Sequence, residues 1–156
     1  MLVREYKETD IPCISELYYN TVRNINSREY TQEQIQVWAP KVYPDTEWIR
    51  RFDNYTVYVV ENEGDIIGFA EFQFPGHIDC FYVHHAWQRM GVGSLLLDRL
   101  EQEALHVDLD RLFVDSSITA KPFFLSKGFT IVRKQEKKYR GLSFTQYFME
   151  KYLAGK

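Results

Sequence analysis

The segment from His77 to Leu97, HIDCFYVHHAWQRMGVGSLLL, constrains the fold of this chain more than any other. An apolar, β-like run leads into Gln88-Arg89-Met90-Gly91-Val92-Gly93, and a leucine-rich helical pattern follows at once. The first N–H groups of a helix have no intrahelical acceptor, and glycines remove the Cβ atoms that would keep an anionic oxygen away from them. Strand, glycine loop and helix in that order predict a cradle for a pyrophosphate. The loop lacks the Gly-Lys-Ser/Thr ending of nucleotide-hydrolysing loops and the third glycine of the dinucleotide fingerprint, which argues against hydrolysis of nucleotides and against hydride transfer.

The elements around this segment mix helices and strands. Leu2 to Tyr6 reads as a strand, and Thr9 and Asp10 can cap a helix that runs to about Asn24 with Pro12 in its first turn. Ile11, Ile14, Leu17, Tyr18 and Val22 recur at helical spacing, so this helix packs on a sheet. Tyr30 to Ala39 reads as a second helix ended by Pro40, and Asp45 or Thr46 caps a third that carries Trp48, Ile49 and Phe52. Tyr55 to Glu61 and Ile66 to Phe74 form a hairpin across Asn62-Glu63-Gly64-Asp65. His77 to Val83 is the strand before the loop, and the motif helix extends from Gly91 to about His106. Arg111 to Asp115 is a strand, Thr119 to Ser126 a short helix stopped at Gly128, and Phe129 to Arg140 and Leu142 to Tyr152 are strands joined at Gly141. The expected class is α+β: a mixed, mostly antiparallel, twisted sheet flanked by helices, with a parallel pair where the motif helix crosses over.

No linker or repeat interrupts this order, and 156 residues with 45% hydrophobic content suit one domain over 1–156 that buries roughly 70% of its unfolded surface. Cys13 and Cys80 are far apart and show no CxxC spacing, and no signal peptide precedes them, so reduced thiols and a cytoplasmic location are expected. No apolar run approaches the roughly 20 residues that cross a bilayer, so no membrane is expected as a partner. A net charge of -3 offers no general attraction for nucleic acid. The basic run Arg133 to Arg140 alternates along a strand and reads as a solvated edge guarded by lysines.

Gln/Arg-x-x-Gly-x-Gly/Ala between a strand and a helix resembles the coenzyme A motif of the GCN5-related N-acetyltransferases (GNAT), with Gln88, Gly91 and Gly93 at its defined positions. Ala120-Lys121-Pro122-Phe123-Phe124-Leu125-Ser126-Lys127-Gly128-Phe129 resembles the second signature of that family. Tyr30-Thr31-Gln32-Glu33-Gln34 followed by Trp38-Ala39-Pro40 is similar to a segment of an uncharacterised bacterial subgroup. The resemblance implies the acyl-CoA N-acyltransferase fold and acetyl-CoA as co-substrate. It places the pyrophosphate on the backbone of Arg89, Met90, Gly91, Val92, Gly93 and Ser94, with Gln88 shaping the loop entrance. It also implies that Phe81, Tyr82 and Val83 pair with the pantetheine arm, and that Phe123 and Phe124 pack around it.

Acetyl transfer to an amine needs a neutral nucleophile, a stabilised oxyanion and a proton for the departing thiolate. His77, Asp79 and Glu71 are the candidate bases, since strands set them beside the expected cleft. Counting back from Gln88 lands His77 on the family's catalytic glutamate position, and Asp79 shares its face if no bulge intervenes. Many members have a tyrosine where Phe124 stands, so the usual phenol is missing, and Ser116, Ser117, Thr119, Ser126, Tyr82 and Tyr139 are the hydroxyls of the region. The four histidines match no standard zinc spacing, and no metal is expected. Tyr18, Tyr19, Tyr30, Trp38, Tyr43 and Trp48 fall where an amine pocket would form, Trp38 and Tyr30 foremost. The expected activity is transfer of acetyl to a primary amine of a small molecule or peptide by direct attack in a ternary complex. The alternative is an acyl-CoA-binding sensor or interaction module with weak or no catalysis. Phe144, Tyr147 and Phe148 in the last strands leave a homodimer open.

Overall fold

The computed structural model describes residues 1–153. Its strands are β1 (Leu2–Glu5), β2 (Thr56–Asn62), β3 (Asp65–Gln73), β4 (His77–Val83), β5 (Arg111–Ser117), β6 (Thr130–Tyr139) and β7 (Leu142–Tyr152). Its α-helices are α1 (Ile11–Asn24), α2 (Gln32–Trp38), α3 (Asp45–Phe52), α4 (Val92–His106) and α5 (Lys121–Ser126). The seven strands make one sheet in the order β1-β2-β3-β4-β5-β7-β6, antiparallel except for β4 beside β5. The expected α+β fold with a parallel pair across the motif helix is what forms. No helix among the described residues is long and apolar enough to cross a membrane.

Two irregularities in the sheet build the site. The parallel ladder is confined to His77 against Phe113 and Ile78 against Val114, so beyond Ile78 the two strands part. Between β3 and β4 the register steps from Ala70 opposite Phe81 to Phe72 opposite Ile78, which sets Glu71 against both Asp79 and Cys80. This is a β-bulge, which inserts a residue and re-aims the side chains next to it. Ile78 and Phe81 consequently belong to the same face of the sheet, and Cys80 and Tyr82 to the other. A bulge does intervene on β4, and Asp79 meets Arg51 on the face that Cys80 shares.

Each face carries its own core. Leu96, Leu97, Leu100 and Ala104 of α4 bury against Tyr58, Val60, Ile67, Phe72 and Ile78, and each large apolar side chain there contributes about 1.5–3 kcal/mol. Ile11, Ile14 and Leu17 of α1, with Trp48 and Phe52 of α3, cover Val57, Val59 and Phe69 on the opposite face. The second helix, Gln32–Trp38, is shorter than the expected Tyr30 to Ala39. Thr31 accepts the Gln34 N–H at 3.1 Å while the Gln34 side chain accepts the Thr31 N–H at 2.8 Å, and this reciprocal cap starts α2 at Gln32. Phe144 is buried beside Tyr30, Trp38, Ile35 and Val22, so an aromatic considered for a dimer face belongs to the third core of the protein.

Candidate active site

The glycine loop stands as its residue types demand. Gly91 caps α4 with φ of +86°, the left-handed region that side chains with a Cβ avoid. The first bond of the helix runs from the Leu95 N–H to the Gly91 carbonyl at 3.1 Å, so the N–H groups of Val92, Gly93 and Ser94 precede the intrahelical ladder. A Cβ on Gly93 would lie 3.0 Å from the Phe123 ring, so only glycine lets α4 and α5 approach this closely. The Gln88 side-chain amide donates to the Val83 carbonyl at 2.8 Å and to that of His84 at 3.4 Å, tying the loop to the end of β4. Together these groups form a concave, N–H-lined anion seat at a helix N-terminus.

From that seat an open cleft of about 1760 Å³ runs between the parted β4 and β5. Gln88, Arg89, Gly91, Val92, Gly93 and Ser94 line one end, and Phe81, Tyr82, Val83, Phe123 and Phe124 line its middle. Met90 is exposed and lies outside the lining. Phe124 is buried, with its ring 5.3 Å from that of Phe81 and 5.0 Å from that of Phe129. Thr119, on the turn between β5 and α5, also lines the cleft; its hydroxyl oxygen is buried and has no hydrogen-bond partner among the described residues.

The other end of the cleft is walled by Tyr18, Trp38, Tyr43, Trp48 and Tyr139 and floored by Arg51, Tyr55 and Asp79. Tyr18 stands edge-on to Tyr82 and Trp48, with centroids 5.0 and 5.3 Å apart. Burial pushes both the Tyr18 and Tyr82 phenols well above their ordinary pKa, so they act there as neutral dipoles. Trp38 and Tyr30 both line the cleft, with Tyr30 edge-on to Trp38 at 5.1 Å, while Tyr19 is not in the lining.

The three carboxylate and imidazole candidates part company. Asp79 lines the cleft, with 36% of its side chain exposed, accepting from the Tyr55 hydroxyl and pairing with Arg51 at 3.1 Å. Glu71 is completely buried and does not line it; both its oxygens are held by Arg51, Oε2 by Nε at 2.6 Å and Oε1 by NH2 at 2.8 Å. His77 is stacked on Phe113 at 5.3 Å where the parallel ladder begins, and it too lies outside the cleft. The bulge sets Asp79 and Cys80 together opposite Glu71, and Glu71 points from β3 toward Arg51 of α3.

Arg51 and Tyr55 escape a reading of the sequence alone, because a helix-end arginine and a tyrosine before a strand carry no motif. Burial opposes the Arg51 charge, yet its bonds to Glu71 and the nearby Cys80 and Asp79 raise its pKa above the ordinary value. Donor atoms of Glu71, Asp79 and Cys80 lie within 4.8 Å of one another, an arrangement that could hold a cation. Arg51 spans that space and supplies the positive charge itself. Burial drives the Cys80 thiol well above its normal pKa, and its sulfur accepts weakly from Arg51 at 3.7 Å.

Known proteins share this build. The family model for the acetyltransferase (GNAT) domain matches residues 26–151. The uncharacterized N-acetyltransferase YafP of Escherichia coli (strain K12) is 31% identical over 147 residues, covering 94% of this chain and 93% of that protein. A GCN5-related N-acetyltransferase of Rhodopseudomonas palustris superposes with a TM-score of 0.92 at 26% identity, over 97% of this chain and 95% of that one. YncA of Salmonella typhimurium, solved with acetyl-CoA, shares the fold with a TM-score of 0.73 at 22% identity, over 99% and 95% of the two chains. Agreement this extensive, on a sheet that opens between the same strands as the loop requires, makes the chain a member of the GNAT acetyltransferase family.

Proposed function

We propose that this acyltransferase moves the acetyl group of acetyl-CoA to the primary amine of a small molecule or peptide, by direct attack in a ternary complex with Asp79 as the proton acceptor. The observation that carries this reading is the continuity of the cleft from the anion seat at Gly91 to the Asp79 carboxylate. The pyrophosphate is held by the N–H groups that open α4, and the pantetheine arm follows the unpaired edge of β4 along Phe81, Tyr82 and Val83. The amine enters from the aromatic end and gives a proton to Asp79, directly or through one water. Its lone pair attacks the thioester carbonyl, and a β4 amide receives the oxyanion. The C–S bond then breaks, the nitrogen gives its remaining extra proton to solvent, and the sulfur leaves as a thiolate that takes a proton from solvent, since Phe124 has none to give.

The test is calorimetric titration with acetyl-CoA, followed by a pool of primary amines with thiol release monitored, for the native protein and Asp79→Asn. The expected result is amine-dependent release that falls by about 10²–10⁴ in the variant while acetyl-CoA affinity holds. Native-level release by Asp79→Asn would remove Asp79 from the base role. Binding without release by the native protein at any amine would favour an acyl-CoA sensor.

A further inference from the structure

We propose that Glu71 is a positioning residue whose buried carboxylate holds the β4 bulge in place and, through Arg51, sets the Asp79 carboxylate in the cleft. The inference rests on the reading of Asp79 as proton acceptor and extends it to a residue that does not touch the cleft.

A bulge leaves a backbone group without its ladder partner, and a buried N–H without an acceptor is destabilising. Here the Cys80 N–H, in the bulge, donates to Glu71 Oε1 at 3.1 Å. The side chain of β3 thus replaces the missing acceptor and stabilises the irregular register over the regular one. The register matters because an extra residue decides which way each later side chain points. With the bulge, Ile78 and Phe81 both face α4, and Asp79 at the irregularity opens onto the cleft.

The second half of the argument is charge. A carboxylate with no exposed surface needs a cation and further hydrogen bonds, and Arg51 provides two bonds, at 2.6 and 2.8 Å. The same guanidinium NH2 that binds Glu71 lies 3.1 Å from Asp79 Oδ2, an oxygen that also accepts from Tyr55. Glu71 therefore anchors the guanidinium, and the guanidinium and Tyr55 together fix where the Asp79 carboxylate sits. Bulge amide, Glu71, Arg51 and Asp79 form one chain of contacts from the sheet interior to the cleft.

The test compares Glu71→Gln with the native protein by NMR. The amide variant keeps the size but removes the charge that holds Arg51. We expect exchange of the Cys80 amide to quicken by about tenfold or more, the Asp79 carboxyl carbon resonance to move, and acetyl-CoA affinity to stay within about twofold. Amine-dependent thiol release should fall, and adding Asp79→Asn should lower it no further than Asp79→Asn alone, because both changes act through one group. An unmoved Asp79 resonance or unchanged Cys80 exchange overturns the proposal, as does a Glu71→Gln loss that adds in full to that of Asp79→Asn. Should Glu71→Gln not fold, Glu71→Asp keeps the charge and withdraws the reach to Cys80, and the same two resonances decide. If Asp79→Asn alone releases thiol at the native rate, the base reading fails, and the Cys80 and Asp79 resonances still judge Glu71.

Discussion

The Tyr30 hydroxyl accepts the Ile118 N–H at 2.9 Å and donates to the Thr145 carbonyl at 2.8 Å, joining the segment before α2 to the turn after β5 and to β7. Tyr30→Phe leaves a backbone donor and an acceptor without their shared partner, so it should cost about 1–3 kcal/mol. Urea denaturation measures this, and an unchanged midpoint would mean that water replaces the phenol without loss.

Gly93 tolerates no side chain without moving Phe123, whose Cε1 would be 3.0 Å from a new Cβ. Gly93→Val should therefore push α5 away from α4 and crowd the anion seat, weakening acetyl-CoA binding by roughly tenfold or more, about 1.4 kcal/mol. Gly91 has open space around its Cβ direction but a φ of +86°, so Gly91→Ala should lose about 1 kcal/mol of stability from backbone strain. Titration and thermal unfolding separate the two effects. Tight binding by a folded Gly93→Val protein would place the pyrophosphate elsewhere.

Thr119 lines the cleft and holds a buried hydroxyl with no hydrogen-bond partner among the described residues. Replacing it by the isosteric Val removes a polar atom that gains nothing there, so the unliganded protein should be as stable as the native one or more so by up to about 1 kcal/mol. A hydroxyl that waits in the cleft lining should instead serve the bound coenzyme, and Thr119→Val should raise the Kd for acetyl-CoA by about three- to tenfold. Loss of stability without loss of affinity would mean that the hydroxyl has a structural partner in solution.

Acid should loosen the N-terminal end of the sheet. Burial raises the Asp10 pKa, but the bonds from Arg4, at 2.8 and 3.0 Å, and the Lys7 N–H, at 2.7 Å, outweigh it and hold the carboxyl below its ordinary value. A depressed folded pKa contributes stability that is complete above the unfolded value of about 3.9 and is lost as pH falls through the folded value. Asp10→Asn should be less stable than the native protein at neutral pH and should lose less on acidification from about pH 5 to about pH 2. Urea midpoints across that range check it, and parallel acid slopes in the two proteins would refute the linkage.

The alternation and caps of the chain made most elements legible. The strand from His77 to Val83 has the predicted bounds, because its apolar run ends at a histidine pair and begins after Pro75-Gly76. The strand from Arg111 runs on to Ser117, two residues past the expected Asp115, since β7 keeps pairing with it through Gln146. Thr31 and Gln34 already carried the reciprocal cap that starts α2 at Gln32, a pattern visible in the sequence although the expected helix begins at Tyr30. The anion seat was legible because backbone N–H groups and glycines make it, and those depend on local conformation alone.

The sequence by itself determined the strand–loop–helix unit, the order of the elements and the absence of a phenol at Phe124, all properties of neighbouring residues. Only the tertiary structure set Asp79 in the cleft lining and Glu71 out of it, held by Arg51. Their separation follows from a one-residue slip between β3 and β4 and from an arginine 20 positions before Glu71, delivered by a helix on the other side of the sheet. A bulge is a property of two paired strands, and a buried ion pair is a property of the space that packing leaves. Neither is written in the periodicity of a single segment.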